Sequence, residues 1–206
     1  MIEGPEMQMT RRMSSLTPED FVGYYADDPD PWRFKTSDYE KAKYAATLAA
    51  LPKPAYASGL EVGCSIGVLT RKLAERCEAM LGLDVVPSAL ETARETCADR
   101  PNARFAIRAA PGEWPEGRFD LIVLSEVVYF FDEADLARLV ARVEDSLLPG
   151  GDVVLVHWLG ETNFPHSGDE AAEGFMRRAA HFLRPVRNDR AEQYRLDVLT
   201  RSPETS

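Results

Sequence analysis

Two glycines and two acids have the types and spacing to hold a nucleoside: they stand in Leu60-Glu61-Val62-Gly63-Cys64-Ser65-Ile66-Gly67 and in Leu83-Asp84. The apolar residues ahead of Gly63 read as a buried strand, the glycine stretch as a turn into a helix, and Leu83-Asp84 as the end of a second strand. That unit is the nucleotide-cradling half of a Rossmann-like fold. Glycine at 63 and 67 lets the backbone approach a ligand where a Cβ would collide. Asp84 follows Gly67 by 17 residues, near the ~20-residue spacing at which an acid meets a ribose hydroxyl. A packing role for the glycines and a helix-cap role for Asp84 are the structural alternatives. Glu61 precedes the turn on a buried strand, and a buried carboxylate needs a donor, from a ligand ammonium or from within the fold.

A second group with chemical potential is Ser125-Glu126-Val127-Val128-Tyr129, together with His157-Trp158. Glu126 could orient or deprotonate an amine, or could anchor its loop by bonding backbone N–H groups. Tyr129 could line an acceptor pocket or pack beside Phe130 and Phe131. The imidazole of His157 could take a proton from an ammonium acceptor, or sit as a core histidine bonded to backbone. Trp158 could supply an aromatic wall for a sugar ring or a cation. His166 and His181 have no supporting constellation, and three dispersed histidines make no metal site, so no metal is expected.

The elements that must position these residues follow from periodicity. Ser37 caps a helix over 38–51 that ends at Pro52 and Pro54. Strands are expected at 60–63, 79–85, 104–109, 119–125 and 152–158, and helices at 68–75, 87–98, 132–148 and 168–183. Phe119 to Ser125 (FDLIVLS) is almost unbroken in its apolarity, as a strand covered on both faces requires. The tail to Arg201 reads as two final strands in a hairpin. The expected class is therefore α/β: a mostly parallel seven-stranded sheet with helices on both faces. Ligands of such sheets sit at the carboxyl ends of the central strands, here the loops after Gly63, Asp84, Ala109, Ser125 and Trp158. Residues 1–30 show weak periodicity and turn chemistry (Asp27-Asp28-Pro29-Asp30-Pro31) and read as a mobile segment. Residues 31–206 read as one domain, in which 31–52 form a helical lid.

The bulk composition narrows the partners. At 206 residues, 45% apolar and 28% charged, the chain is an ordinary globular protein. With 34 acids against 24 Lys and Arg its net charge is −10, which repels phosphate backbones, so no nucleic-acid partner is expected. Neither an N-terminal apolar leader nor a run of 18 or more apolar residues is present, so no membrane role is expected. The three cysteines show no paired metal spacing. Cys77 and Cys97 are expected on helices as small buried residues, in keeping with a cytoplasmic protein. Oligomeric state is left open.

The form Glu-x-Gly-x-x-x-Gly, with no pyrophosphate-binding third glycine, is the one used by enzymes that bind S-adenosylmethionine (SAM). The chain resembles the class I SAM-dependent methyltransferases, and within them the nodulation protein S family, whose founding activity is N-methylation of a deacetylated chitooligosaccharide. Four blocks carry the resemblance: Asp30-Pro31-Trp32-Arg33-Phe34 with Ser37-x-Tyr39-Glu40; residues 60–70 (LEVGCSIGVLT); residues 119–131 (FDLIVLSEVVYFF); and Val156-His157-Trp158 with Ser167-Gly168-Asp169. The resemblance implies the Rossmann-like class I methyltransferase fold, SAM as cofactor and S-adenosylhomocysteine (SAH) as its product. It implies cofactor contacts from Trp32, Arg33, Tyr39 and Lys43 on the lid, with Tyr39 and Lys43 candidates for the cofactor carboxylate. Further contacts are implied from Glu61, Gly63, Cys64 and Gly67, from Asp84 and Val85, from Ala109 and Ala110 near the adenine edge, and from Ser125. Glu126, His157 and Tyr129 are the catalytic or acceptor-pocket candidates. Ser65 stands where many of these enzymes have a third glycine, and serine is tolerated there if its φ is negative. The implied acceptor is a small molecule, an amino sugar or other small polar amine. O-methylation of a hydroxy compound, a non-enzymatic SAM-binding partner subunit and, last, a NAD-dependent oxidoreductase are the alternatives.

Overall fold

The computed structural model describes residues 10–202, and seven strands in it form one sheet in the order β3-β2-β1-β4-β5-β7-β6. The strands are β1 (Tyr56–Val62), β2 (Cys77–Asp84), β3 (Ala103–Ile107), β4 (Phe119–Ser125), β5 (Leu147–Trp158), β6 (Leu183–Arg190) and β7 (Tyr194–Arg201). The helices are α1 (Pro18–Val22), α2 (Asp38–Ala50), α3 (Val68–Leu73), α4 (Pro87–Thr96), α5 (Glu133–Ser146) and α6 (Gly168–Ala179). All neighbouring pairs from β3 to β5 are parallel, and β7 runs antiparallel to both β5 and β6. Chain order reverses between β1 and β4, so a crevice opens beyond their carboxyl ends.

The apolar run of β4 is explained by burial on both faces. Ile122 and Leu124 pack with Leu136, Leu139 and Phe175 of α5 and α6. Leu121 and Val123 pack on the opposite side with Tyr44 of α2 and with Leu69 and Leu73 of α3. Ser37 caps α2 by accepting from the Glu40 amide, and Asp132 caps α5 by accepting from Ala134 and Asp135. No helix among the described residues is long and apolar enough to cross a membrane.

Several boundaries differ from the sequence expectation. β5 begins at Leu147, whose partner is Phe119, so Pro149-Gly150-Gly151 lies within a strand rather than before one. Gly150 has φ +71, and the register shifts between Phe119 and Leu121; this irregularity absorbs the turn residues. Cys77 opens β2 instead of lying on a helix, and Cys97 is the C-cap of α4; both are buried, as is Cys64. The segment expected to be mobile is anchored from Arg11 onward, while residues 1–9 lie outside the described residues. Arg12 N–H donates to Asn163 O at 2.8 Å, Leu16 N–H to Phe130 O at 3.0 Å, and Ser15 Oγ to Asp135 Oδ2 at 2.5 Å. These partners stand more than a hundred positions away, and the five-residue α1 is too short to show a helical period.

Candidate active site

Gly63 leaves β1 with φ +75, and a Cβ there would meet Val127 Cγ2 at 3.4 Å. Its N–H bonds Leu83 O at 2.8 Å, which ties the turn to β2. Ser65 follows with φ +49, so the expected negative φ is not found. That left-handed geometry is held from two sides: the Ser65 amide donates to Asp84 Oδ2 at 2.8 Å, and its hydroxyl bonds Tyr25 OH at 2.5 Å. Asp84 also accepts from the Val86 amide through Oδ1 at 3.0 Å. Burial raises the Asp84 carboxyl above its ordinary value, against the lowering effect of those backbone bonds. Glu61 is buried and accepts from Thr70 Oγ1 at 2.5 Å. Burial pushes its carboxyl up to about 8 despite that bond.

The parallel register pairs Ser125 with Val156, which brings the residue after β4 beside the end of β5. That residue, Glu126, has φ +56 and donates its N–H to Val156 O at 2.8 Å. Its Oε2 accepts from Tyr129 OH and from the Trp158 amide, both at 2.8 Å. Its Oε1 accepts from Lys43 Nζ at 2.7 Å, and Lys43 also reaches Glu40 Oε1 at 3.0 Å. Lys43 is only 3% exposed. Burial pulls its ammonium down, but Glu126 and Glu40 outweigh that and hold it above its ordinary value. Two buried polar atoms beside this cluster have no partner, Tyr39 OH and Glu40 Oε2.

Between the glycine turn and this cluster lies a cavity of about 630 Å³. Trp32, Tyr39, Lys43, Glu61, Gly63, Cys64, Asp84, Val85, Ala109, Ala110, Ser125, Glu126 and Tyr129 all border it. Three expected site residues do not. Gly67 turns away with φ +77, and a Cβ there would stand 3.0 Å from Ala93 Cβ, so it is a packing glycine between α3 and α4. The Arg33 side chain, 68% exposed, pairs with Asp28 at 3.3 Å. His157 is fully buried, and its Nε2 accepts from the Val128 amide at 3.3 Å. Burial pushes its imidazole down to about 4, so it is a neutral core histidine holding the turn after Glu126. No metal-ligating cluster occurs among the described residues.

Sequence reasoning missed the aromatic roof. Phe21, Tyr24 and Tyr25 border the cavity from the segment read as mobile, and Phe164 closes it from the loop after β5. Phe21 packs edge-on to Phe130 with centroids 4.9 Å apart, and Phe130 does so to Phe164 at 4.7 Å. The density of Phe21, Tyr24, Tyr25, Trp32 and Phe34 was a readable signal for a buried role. An elongated ligand with an aromatic or apolar body, ribose-like hydroxyls and a charged polar end fits this cavity. Gly63 leaves room for a close approach, and Asp84 presents acceptor oxygens at the cavity.

The model of the family described as nodulation protein S matches residues 19–155. Nodulation protein S of Rhizobium tropici is 34% identical over 127 residues, covering 61% of this chain and 53% of that protein. The chain thus spans about half the length of the relatives it matches. A putative methyltransferase from Pseudomonas syringae of known structure is 36% identical, with TM-score 0.71, over 79% of this chain and 99% of that one. The N-methyltransferase NodS from Bradyrhizobium japonicum WM9, solved with SAH, matches with TM-score 0.76 at 24% identity, over 89% of this chain and 97% of that one. At that identity the likeness establishes the shared Rossmann-like methyltransferase fold.

Proposed function

The chain belongs to the nodulation protein S family, and on that premise we propose that it is a SAM-dependent methyltransferase acting on the nitrogen of a small polar amine, such as an amino sugar. The observation that carries this reading is the cavity itself, in which the Gly63 turn, Asp84 and the Glu126 cluster converge at the sheet's switch point. When bound, the cofactor supplies a methyl group on a sulfonium, an electrophile that needs no further activation. The remaining lone pairs of Asp84 suit ribose hydroxyls, while Ala109 and Ala110 suit an adenine edge and Gly63 a close backbone approach.

The chain's main contribution is then alignment and exclusion of water. Phe21, Phe130 and Phe164 shield the cavity, and Tyr129 with Trp158 walls the end near Glu126. Glu126 has donors on both oxygens, so its part is to hold the Trp158 amide, Tyr129 and Lys43 in register around the acceptor. An amine can lose its proton to solvent at the cavity mouth. A hydroxyl acceptor would need a positioned base, and that requirement favours nitrogen over oxygen. We read the setting as cytoplasmic, in keeping with three buried thiols, and the chain as one working unit roofed by residues 16–25 and α2.

A thermal shift with SAM, SAH and NAD in parallel tests the cofactor. At 100-fold excess over Kd a native-state ligand adds about 2.7 kcal/mol, or roughly 5–10 °C for a domain of this size. Shifts with the two adenosyl ligands and none with NAD are expected; a shift with NAD alone would overturn the reading. Methyl transfer to glucosamine but not to N-acetylglucosamine is the expected acceptor result.

A further inference from the structure

Five carboxylates border the cavity: Glu40, Glu61, Asp84, Glu126 and Glu161. Four of them are accounted for. Asp84 holds the Ser65 and Val86 amides. Glu61 accepts from Thr70 and keeps its proton near neutral pH. Glu126 is engaged by Lys43, Tyr129 and the Trp158 amide, and Glu161 is exposed to solvent. Glu40 is different. It is 7% exposed, its Oε1 is bonded to Lys43, its carboxyl group has the Tyr44 hydroxyl beside it, and its Oε2 is buried with no hydrogen bond of its own.

One ammonium, Lys43, lies between two acidic side chains, Glu40 and Glu126, which share it as their cationic partner. A buried charge with an open lone pair is costly unless a donor of opposite sign completes it. The hydroxyl of the adjacent Tyr39 is likewise buried and unpartnered, and Lys43 lies 5.0 Å from its ring centroid. The group that would complete the Glu40 carboxyl group is a cationic N–H donor.

We propose that Glu40 is the ammonium receptor of this cavity, with Tyr39 OH as its neighbouring polar contact. The proposal rests on the cofactor reading above. A primary ammonium can come from two sources, the amino-acid end of the cofactor or the acceptor amine. Glu40 is placed for either: Lys43 links it to Glu126, and Glu40 and Glu61 both flank Tyr44.

Calorimetric titration with SAH and with 5′-methylthioadenosine, the same nucleoside without the amino-acid end, separates the sources. Glu40→Gln removes the charge yet leaves an oxygen for Lys43. If the ammonium is the cofactor's, the variant binds SAH roughly ten- to a hundredfold more weakly, as expected for a lost charge-assisted bond. Binding of 5′-methylthioadenosine then stays within about twofold, which also reports an intact fold. If the ammonium is the acceptor's, SAH binding is unchanged. In that case the SAH-saturated parent is stabilised by glucosamine over N-acetylglucosamine, and the variant loses this preference. Tyr39→Phe should weaken the same ligand by about two- to tenfold, and it carries the test should Glu40→Gln fail to fold. Equal responses of parent and variants to SAH and to glucosamine overturn the assignment. A parent protein that binds neither nucleoside overturns the cofactor reading and this assignment with it, whereas SAH binding and a glucosamine preference that both ignore Glu40 and Tyr39 overturn only the latter.

Discussion

Glu126 joins three elements through its side chain: Lys43 on α2, Tyr129 in the turn after β4, and the Trp158 amide on β5. Its neighbour across the cavity, Glu61, has a single donor, Thr70 Oγ1. Folded Glu61 keeps its proton up to about pH 8, whereas its ordinary value is 4.5. Between those values folding takes up a proton. The contribution of this group is therefore whole below about 4.5, declines as pH rises, and is lost above about 8. Glu61→Gln keeps an oxygen for Thr70 and removes the titration. Its stability relative to the parent should climb by roughly 3 kcal/mol between about pH 5 and pH 8, read as the difference between two urea-unfolding series of ligand-free protein. Parallel series would mean that folded Glu61 is already ionised. The residue types at 61, 84 and 126 were legible as site acids in the sequence. Their division of labour was not, because hydrogen-bond partners such as Lys43 for Glu126 stand 83 positions apart. His157 is the sharpest case: a histidine at a strand end reads equally as a base or as a core residue bonded to backbone, and only its full burial and its bond from the Val128 amide decide for the second.

At the scale of elements, the two glycines of the first turn share a motif but divide its work. Gly63 borders the cavity and has 3.4 Å to the nearest side-chain atom for an added Cβ. Gly67 lies off the cavity, and its Cβ would stand 3.1 Å from the backbone Cα of Ala93. Both have positive φ, which costs a non-glycine residue about 1–2 kcal/mol. Gly67→Ala must in addition push α4 away, so its total loss in urea unfolding should reach about 2–4 kcal/mol. Gly63→Ala should lose less stability but more SAH affinity. Equal effects on both properties would contradict this division. α2 shows how a well-signalled helix can carry a poorly signalled site. Its Ser37 cap was readable, and it places Tyr39, Glu40 and Lys43 on the side that meets the cavity. The hairpin of β6 and β7 was also readable, since its edge strand, LRPVRNDR, is rich in charge and, apart from Leu183, exposed, which suits an unpaired edge.

At the scale of the whole molecule, the cavity is enclosed by segments far apart in the chain: residues 16–34, α2, and the loops after β1, β2, β3, β4 and β5. Ligand binding should therefore slow amide hydrogen exchange together in residues 16–25, 63–67 and 125–130, while the β6–β7 hairpin stays unchanged. Protection by SAH confined to 63–67, with none in 16–25, would show that the N-terminal segment is not part of the roof. The sequence alone determined the α/β alternation, the glycine turn with Asp84 beyond it, the α2 cap and the acid after β4. Each of these is written in local periodicity or in spacing along one stretch of chain. Tertiary structure alone decided that residues of the 16–25 segment border the site, that Gly67, Arg33 and His157 do not, and that Glu40 Oε2 is buried without a hydrogen bond. Those outcomes depend on which distant groups bury or bond one another, and such pairings leave no period and no fixed spacing in the sequence.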